Sequence, residues 1–443
     1  MAMLQNRVRP GADINVRSNS LSVTMDSIRG VVTMPWISGW GGEDIIEITP
    51  TTNILAVTGY DIGAPELLTI REALKRARTL LVYRVNGDSG AVAMASESLT
   101  DEDTQETTAT FSATAIHRGS RGNDITVRVV ADIDDDGYFV VETLIDTAIM
   151  DVQRVSNPED LVANNFVSFN ADTLFPIAGL ILAGGEDEEP TVQGYANYFD
   201  ALLSYDFNVM AMPIEDEGVK NVAINFIKML REDESIKCTL AVSGIHADHE
   251  AIINVRNGVI LSNGTVVEPH LATAWVAGAT AGANINESNT YSPYQGAIDV
   301  TERLTNTEII RALQFGEFLF EKNNGRVVVE QDINSHTTFT VERNRSFSKN
   351  RVMRVLDDIA NATRRTFSLH FIGQVTNNEQ GRNVFKSSII EYLNFLESIS
   401  AIENFDSDDV TVERGNDVDA VVVHLYVQPT DAMEKLYMLV EVQ

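Results

Sequence analysis

The sequence predicts a multi-domain α/β protein: a layered α/β core, an inserted β-rich domain, and extended N- and C-terminal arms. Three observations predict it. Helix-like and strand-like segments alternate from about residue 187 onward, and a helix followed by a strand fills much of 65–86, which is the pattern of an α/β layer structure. Between these regions the periodicity changes to two, and acidic stretches bound that block on either side. Both ends of the chain read as extended segments without a local partner.

Residues 1–30 read as an arm. They are polar, Pro10-Gly11 breaks them early, and "INVRSNSLSVTM" alternates only partly, with no helical period. Residues 31–90 form the N-terminal part of the core. In "PELLTIREALKRARTLLVYRVN", Leu67, Ile70, Ala73 and Leu74 fall at core spacing on a helix, and a strand follows. "SESLTDEDTQETTA" is acidic and short of apolar residues, so it reads as a linker. The segments "ATFSATAIHRG", "NDITVRVVADI" and "GYFVVETLI" then read as strands bounded by turns at "HRGSRGND" and "DDDG". "AGGEDEEP" closes the block, which places a β-rich outer domain at 91–186.

Residues 187–335 form a central α/β domain. "VQGYANYFDALLSY" and "EGVKNVAINFIKMLRED" are helical, "FNVMAMP", "KCTLAVSG" and "AIINVRNGVIL" are strands, and "LATAWVAGATAGA" is a small-residue helix before the strand "GRVVVEQDI". Residues 336–428 form a C-terminal α/β domain, with long helices beginning at "NRVMRVLDDIANATRR" and a strand at "VVVHLYVQP". Residues 429–443 are a second arm. In it Leu436, Tyr437, Met438, Leu439, Val440, Glu441 and Val442 read as a strand with apolar side chains on both faces and no following partner.

Composition narrows the function. Of 443 residues 44% are apolar, enough for large cores. A formal charge of -31 argues against direct nucleic-acid binding and against anionic membranes. The start has no continuous apolar h-region, so no signal peptide is expected, and the longest apolar run is too short to span a bilayer. The single cysteine, Cys238, lies among apolar residues and is expected to be buried.

Four motifs invite chemistry and fail to complete it. "NGDSGA" (86–91) has the serine of a protease-like motif, but the first histidine, His117, comes after it; a turn is the simpler reading. "DIDDDG" (132–137) starts like a calcium loop, yet position twelve is Thr143 rather than a glutamate, so a hairpin turn is expected, with adventitious cation binding as the alternative. "HADHE" (246–250) offers two imidazoles without a third ligand. Gly278 and Gly282 make a GxxxG whose expected role is close approach of a helix to a sheet. No nucleotide-binding loop is present, and no cofactor, metal or catalytic residue is expected.

The ordered set "FSKNRVMRVLDDIANATRR", "FIGQVTNNEQGRNVFKSSIIEYLNFLESISAIENF", "DVTV" and "GNDVDAVVVHLYVQPTDAMEKLYM" resembles the contractile phage tail sheath family. The nearest likeness is to sheaths of Gram-positive myophages and prophage-derived tail-like particles. "RPGADINV" with "RGVVTMPW", "RGSRGNDITV" and "ATAWVAGATAGANINESNTYSPYQGAIDV" extend the resemblance over nearly the whole chain. It implies a structural subunit that stacks as hexameric rings around an inner tail tube, meets baseplate and terminator proteins, and contracts to drive the tube through a cell envelope. It also implies a phage tail or tail-like particle assembled in the bacterial cytoplasm, with terminal arms that add strands to neighbouring subunits. Strand addition agrees with the residues, because an unpaired apolar strand is an aggregation hazard unless covered. The alternatives are another self-assembling viral protein, capsid or scaffold, and, more distantly, an α/β hydrolase-like enzyme.

Two further expectations follow. Residues 341–365 carry a net positive charge in this acidic chain. On a helix Val352, Val355, Leu356, Ile359 and Ala362 share one face, and Arg351, Arg354, Asp358, Asn361 and Arg365 share the other. With the sheath resemblance, Arg351, Arg354 and Arg365 are expected to be exposed and to face the tube; the plainer reading is a solvated face with an Arg354–Asp358 pair. The N-terminal thirty residues are net positive and residues 401–443 strongly negative, so opposite signs would steer the two arms together.

Overall fold

The computed structural model describes Met25 and residues 29–100, 107–135 and 137–442. The expected arm at 1–30 therefore lies almost wholly outside the described residues. The chain divides into two compact units, one holding 27–361 with 429–443, the other 362–428.

The larger unit is built on a seven-stranded sheet. Its first part runs β1 (Val31–Trp36), β2 (Ile45–Ile48), α1 (Ile54–Thr58), α2 (Leu68–Leu74) and β3 (Thr79–Arg84). The insertion follows as β4 (Val92–Thr100), β5 (Thr107–Arg118), β6 (Ile125–Ala131), β7 (Phe139–Ile145), β8 (Ala148–Val155), β9 (Val167–Ala171) and β10 (Ile177–Ile181). The core resumes with α3 (Val192–Leu202), β11 (Val209–Ala211), α4 (Glu217–Glu232), β12 (Thr239–Ser243), β13 (Ile252–Val255), β14 (Val259–Leu261) and β15 (Val266–Val267). It ends with α5 (Pro269–Gly282), β16 (Ala297–Val300), α6 (Asn306–Gln314), β17 (Glu317–Phe318), β18 (Phe320–Asn323) and β19 (Arg326–Val329). The sheet order is β17-β13-β12-β11-β1-β3-β2. All pairs are parallel except β2 with β3.

Parallel strands covered on both faces read as largely apolar runs, and most of these do. Alternate residues point to opposite sides. Val32, Met34, Leu80, Val82, Val209, Ala211, Ala241 and Ile253 join α2 and α5 in one cluster. Leu81, Tyr83, Met210, Leu240, Val242 and Ile252 join α3 and α4 in another. The buried Thr33 hydroxyl reaches the hydroxyl of Tyr198 at 3.0 Å across the second face.

Helix α5 is buried almost all round, which its Ala/Gly composition permits. The GxxxG glycines meet a different neighbour from the one expected. A Cβ at Gly278 would stand 2.3 Å from the Ala73 carbonyl oxygen, and one at Gly282 1.9 Å from that of Arg76. They let α5 touch the C-terminal end of α2, a helix rather than the sheet.

In the insertion, β10-β6-β7-β8 form one antiparallel sheet and β4-β5-β9 another. Phe111, Ala113, Ala115, Ile125, Val127 and Val129 alternate inward. The expected linker "SESLTDEDTQETTA" is corrected in its described part: residues 96–100 and 107–109 belong to β4 and β5, with Glu97 opposite Phe111 and Leu99 opposite Ala109. This end of the hairpin is largely exposed on β4, so its side chains are polar and mimic a linker by composition.

The smaller unit holds the C-terminal part of α7 (Asn350–His370), α8 (Glu379–Ser398) and an antiparallel pair, Val410–Arg414 with Val421–Leu425. Phe367, Phe371 and Phe385 pack together, with the last two ring centroids 4.7 Å apart. Among the described residues no helix is long and apolar enough to cross a membrane.

Candidate functional site

The motifs that suggested chemistry have structural roles. "NGDSGA" forms the turn after β3, and His117 packs edge-on against Trp40 with ring centroids 5.0 Å apart. In "DIDDDG", Asp132 and Asp135 both accept from Arg154, whose guanidinium lies over the Tyr138 ring at 4.2 Å. Arginine thus supplies their countercharge; Asp136 lies outside the described residues. In "HADHE", Asp248 accepts the backbone N–H of Thr337 and of Thr338, at 2.7 and 3.0 Å, and Glu250 pairs with Arg343 at 2.9 Å. Partial burial works against the Asp248 charge, but these hydrogen bonds outweigh it and hold its pKa below the usual range. Among the described residues no group of three His, Cys, Asp or Glu could hold a metal ion. Cys238 is buried, and burial pushes its thiol up to about 12.

The feature that stands out is the end of the chain. Leu436, Tyr437, Met438, Leu439, Val440 and Val442 are 70–93% exposed, and residues 430–442 join no strand among those described. Leu436, Met438, Val440 and Val442 fall on one side of an extended chain and Tyr437 and Leu439 on the other.

The root of this segment is held firmly. The Glu434 carboxylate accepts from the Thr290 hydroxyl at 2.8 Å, from the Gln331 amide at 2.5 Å and from the Lys349 ammonium. Burial opposes its charge, but these donors prevail and its pKa lies below the ordinary value. Lys349 also lies 3.8 Å from Asp431, and Arg351 donates to the Thr430 hydroxyl at 3.0 Å. A cleft of about 790 Å³ runs beside this root, lined in part by Tyr291, Ile310, Phe339 and Met433.

The expected exposed arginine face of α7 is corrected here. Arg351 is 8% exposed. The Arg354 side chain is 9% exposed, donates to the Glu287 carbonyl at 2.5 Å and lies 3.6 Å from Asp332, itself 1% exposed. Asp358 is buried and pairs with Arg29 at 3.6 Å. On the same helix Asp357 is gripped by both terminal nitrogens of Arg231, at 2.7 and 2.8 Å. Arg365 lies in the other unit and is half-buried. The structure therefore does not present the three arginines together on one exposed surface. Glu434, Arg29 and Asp332 went unnoticed in the sequence, since each partner lies far along the chain and no spacing signals it.

Among the described residues the apolar segment 436–442 is exposed, and comparison with known proteins identifies the family. Three family profiles match: the tail sheath protein Gp18 domain III N-terminal region over 29–85, the phage tail sheath protein central domain over 188–335, and the phage tail sheath C-terminal domain over 342–443. The crystal structure of a sheath tail protein from Desulfitobacterium hafniense is similar with a TM-score of 0.82 and 42% identity, covering 97% of this chain and 99% of that one. The chain belongs to the contractile phage tail sheath family. A protein of the phage-like element PBSX of Bacillus subtilis (strain 168) is 35% identical over 99% of this sheath chain and 98% of its own length. The helical sheath of the anti-feeding prophage in its contracted state shares the fold, with a TM-score of 0.57 at 11% identity and 98% coverage of both chains. The family is structural rather than enzymatic, and the protein is a sheath subunit of a phage tail or tail-like particle.

Proposed function

We propose that this sheath protein polymerises as stacked hexameric rings around an inner tail tube and contracts to drive the tube through a target cell envelope. Baseplate and tail terminator proteins bound the polymer, and assembly takes place in the host cytoplasm. The observation that carries the reading is the terminal segment Leu436–Val442, apolar on both sides, 70–93% exposed on its hydrophobic residues and rooted at Glu434. In the assembled sheath it adds as a strand to a neighbouring subunit, whose backbone groups and apolar side chains cover it. The N-terminal arm, of opposite charge, is its natural companion. The insertion, 91–186, lies on the outside of the sheath. Arg351 and Arg354 are withdrawn as tube contacts because they are already engaged within the chain; Arg365 remains the tube-facing candidate.

Truncation after Lys435 tests strand donation while leaving Glu434 in place. The truncated chain keeps near-native circular dichroism and a cooperative thermal transition but forms no tubes by negative-stain microscopy. Loss of the cooperative transition would show that the strand belongs to its own subunit's core, and normal tubes would show that it is not needed.

A further inference from the structure

Two segments that lead to opposite ends of the chain meet the body on one helix and the residue just before it. At the C-terminal end, Lys349 holds Asp431 and Glu434, and Arg351 holds Thr430. At the other end Asp358 pairs with Arg29, which also donates to the Ala283 carbonyl. Positions 351, 354 and 358 are spaced three and four apart, one helical turn each, so they lie in a row along α7. Arg354 is the middle member of that row.

The surroundings of Arg354 connect to both ends. Its ion-pair partner Asp332 also accepts the Asn289 backbone N–H and the Asn350 side-chain amide, both at 2.9 Å. The residue before it, Gln331, donates to Glu434. On the other side a small cavity of about 60 Å³ is lined by Arg354 together with Arg29, Asn350 and Asp358. A charge of this kind, 9% exposed with Asp332 at 3.6 Å, is costly to remove because its buried partner would stay behind.

We propose that Lys349, just before α7, and the polar face of α7 from Arg351 to Asp358 form a common anchor for the roots of both terminal arms, with Arg354 as the residue that joins its two halves. The points at Arg29 and Glu434 are then held in fixed relation to one another. The anchor is a property of the single chain. Only its use, keeping a subunit's arms in fixed relation while they hold neighbours, rests on the strand-donation reading.

Hydrogen–deuterium exchange on the purified full-length monomer tests it. Lys349→Met frees the C-terminal root and raises exchange in 429–435 by roughly tenfold or more, the scale of losing a charged hydrogen bond at a locally opening site, with 29–36 unchanged. Asp358→Asn does the reverse. Arg354→Gln raises exchange at both roots. If Arg354→Gln does not fold, Arg354→Lys, which keeps the charge but loses the planar fork, carries the same expectation with a smaller rise at both roots. A rise at one root alone, or at neither, overturns the shared anchor. Tube formation is scored separately: an intact exchange pattern with failed assembly bears on strand donation and leaves the anchor standing.

Discussion

Replacing Arg354 by glutamate discriminates between a solvated arginine and one built into the fold. Were the side chain on an open helix face, charge reversal would cost no more than an exposed ion pair is worth, about 0–1 kcal/mol. Here the side chain is 9% exposed, its partner Asp332 is 1% exposed, and the Glu287 carbonyl accepts one of its N–H groups. Removing one member of a buried pair costs about 3–5 kcal/mol, because the other charge stays behind without its partner. Glutamate adds repulsion from Asp332 and from Asp358, one turn away. At about 2 °C per kcal/mol for a large domain, the expected fall in melting temperature is on the order of 6–10 °C. Differential scanning fluorimetry of the full chain at pH 7.5 measures it, and Arg354→Met separates lost attraction from new repulsion. A fall of less than about 2 °C on charge reversal would refute the buried geometry and restore the exposed face.

Further outcomes are expected. Burial, and then Glu321 and Glu434 nearby, raise the pKa of Glu330 from 4.5 to about 7. The folded state therefore keeps a proton that the unfolded chain has lost, so this group's contribution to stability falls as pH rises from about 4.5 through 7. Thermal melts of Glu330→Gln should match the parent near pH 4.5 and exceed it at pH 8; a difference that does not change with pH would contradict the assignment. Gly278→Ala gains about 1 kcal/mol of helix propensity but drives a methyl to 2.3 Å from the Ala73 oxygen, so net destabilisation of about 1–2 kcal/mol is expected in denaturant titrations, and a stabilised variant would contradict the close contact. Replacing 92–185 by a short Gly/Ser linker should leave a chain that still forms tubes, since Ala91 and Glu186 already exchange backbone hydrogen bonds at 3.1 and 3.2 Å. Its melting temperature should fall because Trp40, 1% exposed and stacked near Phe166, loses its cover; insolubility under all conditions would place the insertion within the core.

What the sequence discloses depends on whether a side chain's environment is set locally. Strands β3, β11 and β12 are legible because burial on both faces favours apolar runs, and α5 because only small residues survive burial all round. Strand β4 and the outer end of β5 do not show in the sequence, because that end of the hairpin has no buried face on β4 to impose an apolar alternation. The row Arg351, Arg354, Asp358 was read correctly as one face of a helix. What packs on that face comes from Arg29, Glu287, Asp332 and Thr430, and no local pattern records contacts over such separations. A charged helix face is ordinarily solvated, so the prior pointed outward. The family resemblance rested on ordered similarity along the chain and did not depend on those contacts.

The two parts of the C-terminal segment call on different interactions, and this locates the bend. Thr430, Asp431 and Glu434 hold to α7 and its surroundings through hydrogen bonds and ion pairs, which are directional and tolerate little displacement. From Leu436 to Val442 the side chains are apolar apart from Glu441, and no described residue of the chain covers them. Apolar burial is non-directional, so a strand of this kind can be accepted by a surface whose orientation changes, while its backbone ladder fixes register. Lys435 stands between the two, exposed and next to the last anchored residue. Under the strand-donation proposal, the backbone rotation that turns the arm toward a neighbour is therefore expected at Lys435 and Leu436. Lys435→Pro, which fixes φ at that point, should leave the monomer's melting temperature unchanged and reduce tube formation, and an unaltered assembly yield would place the bend elsewhere.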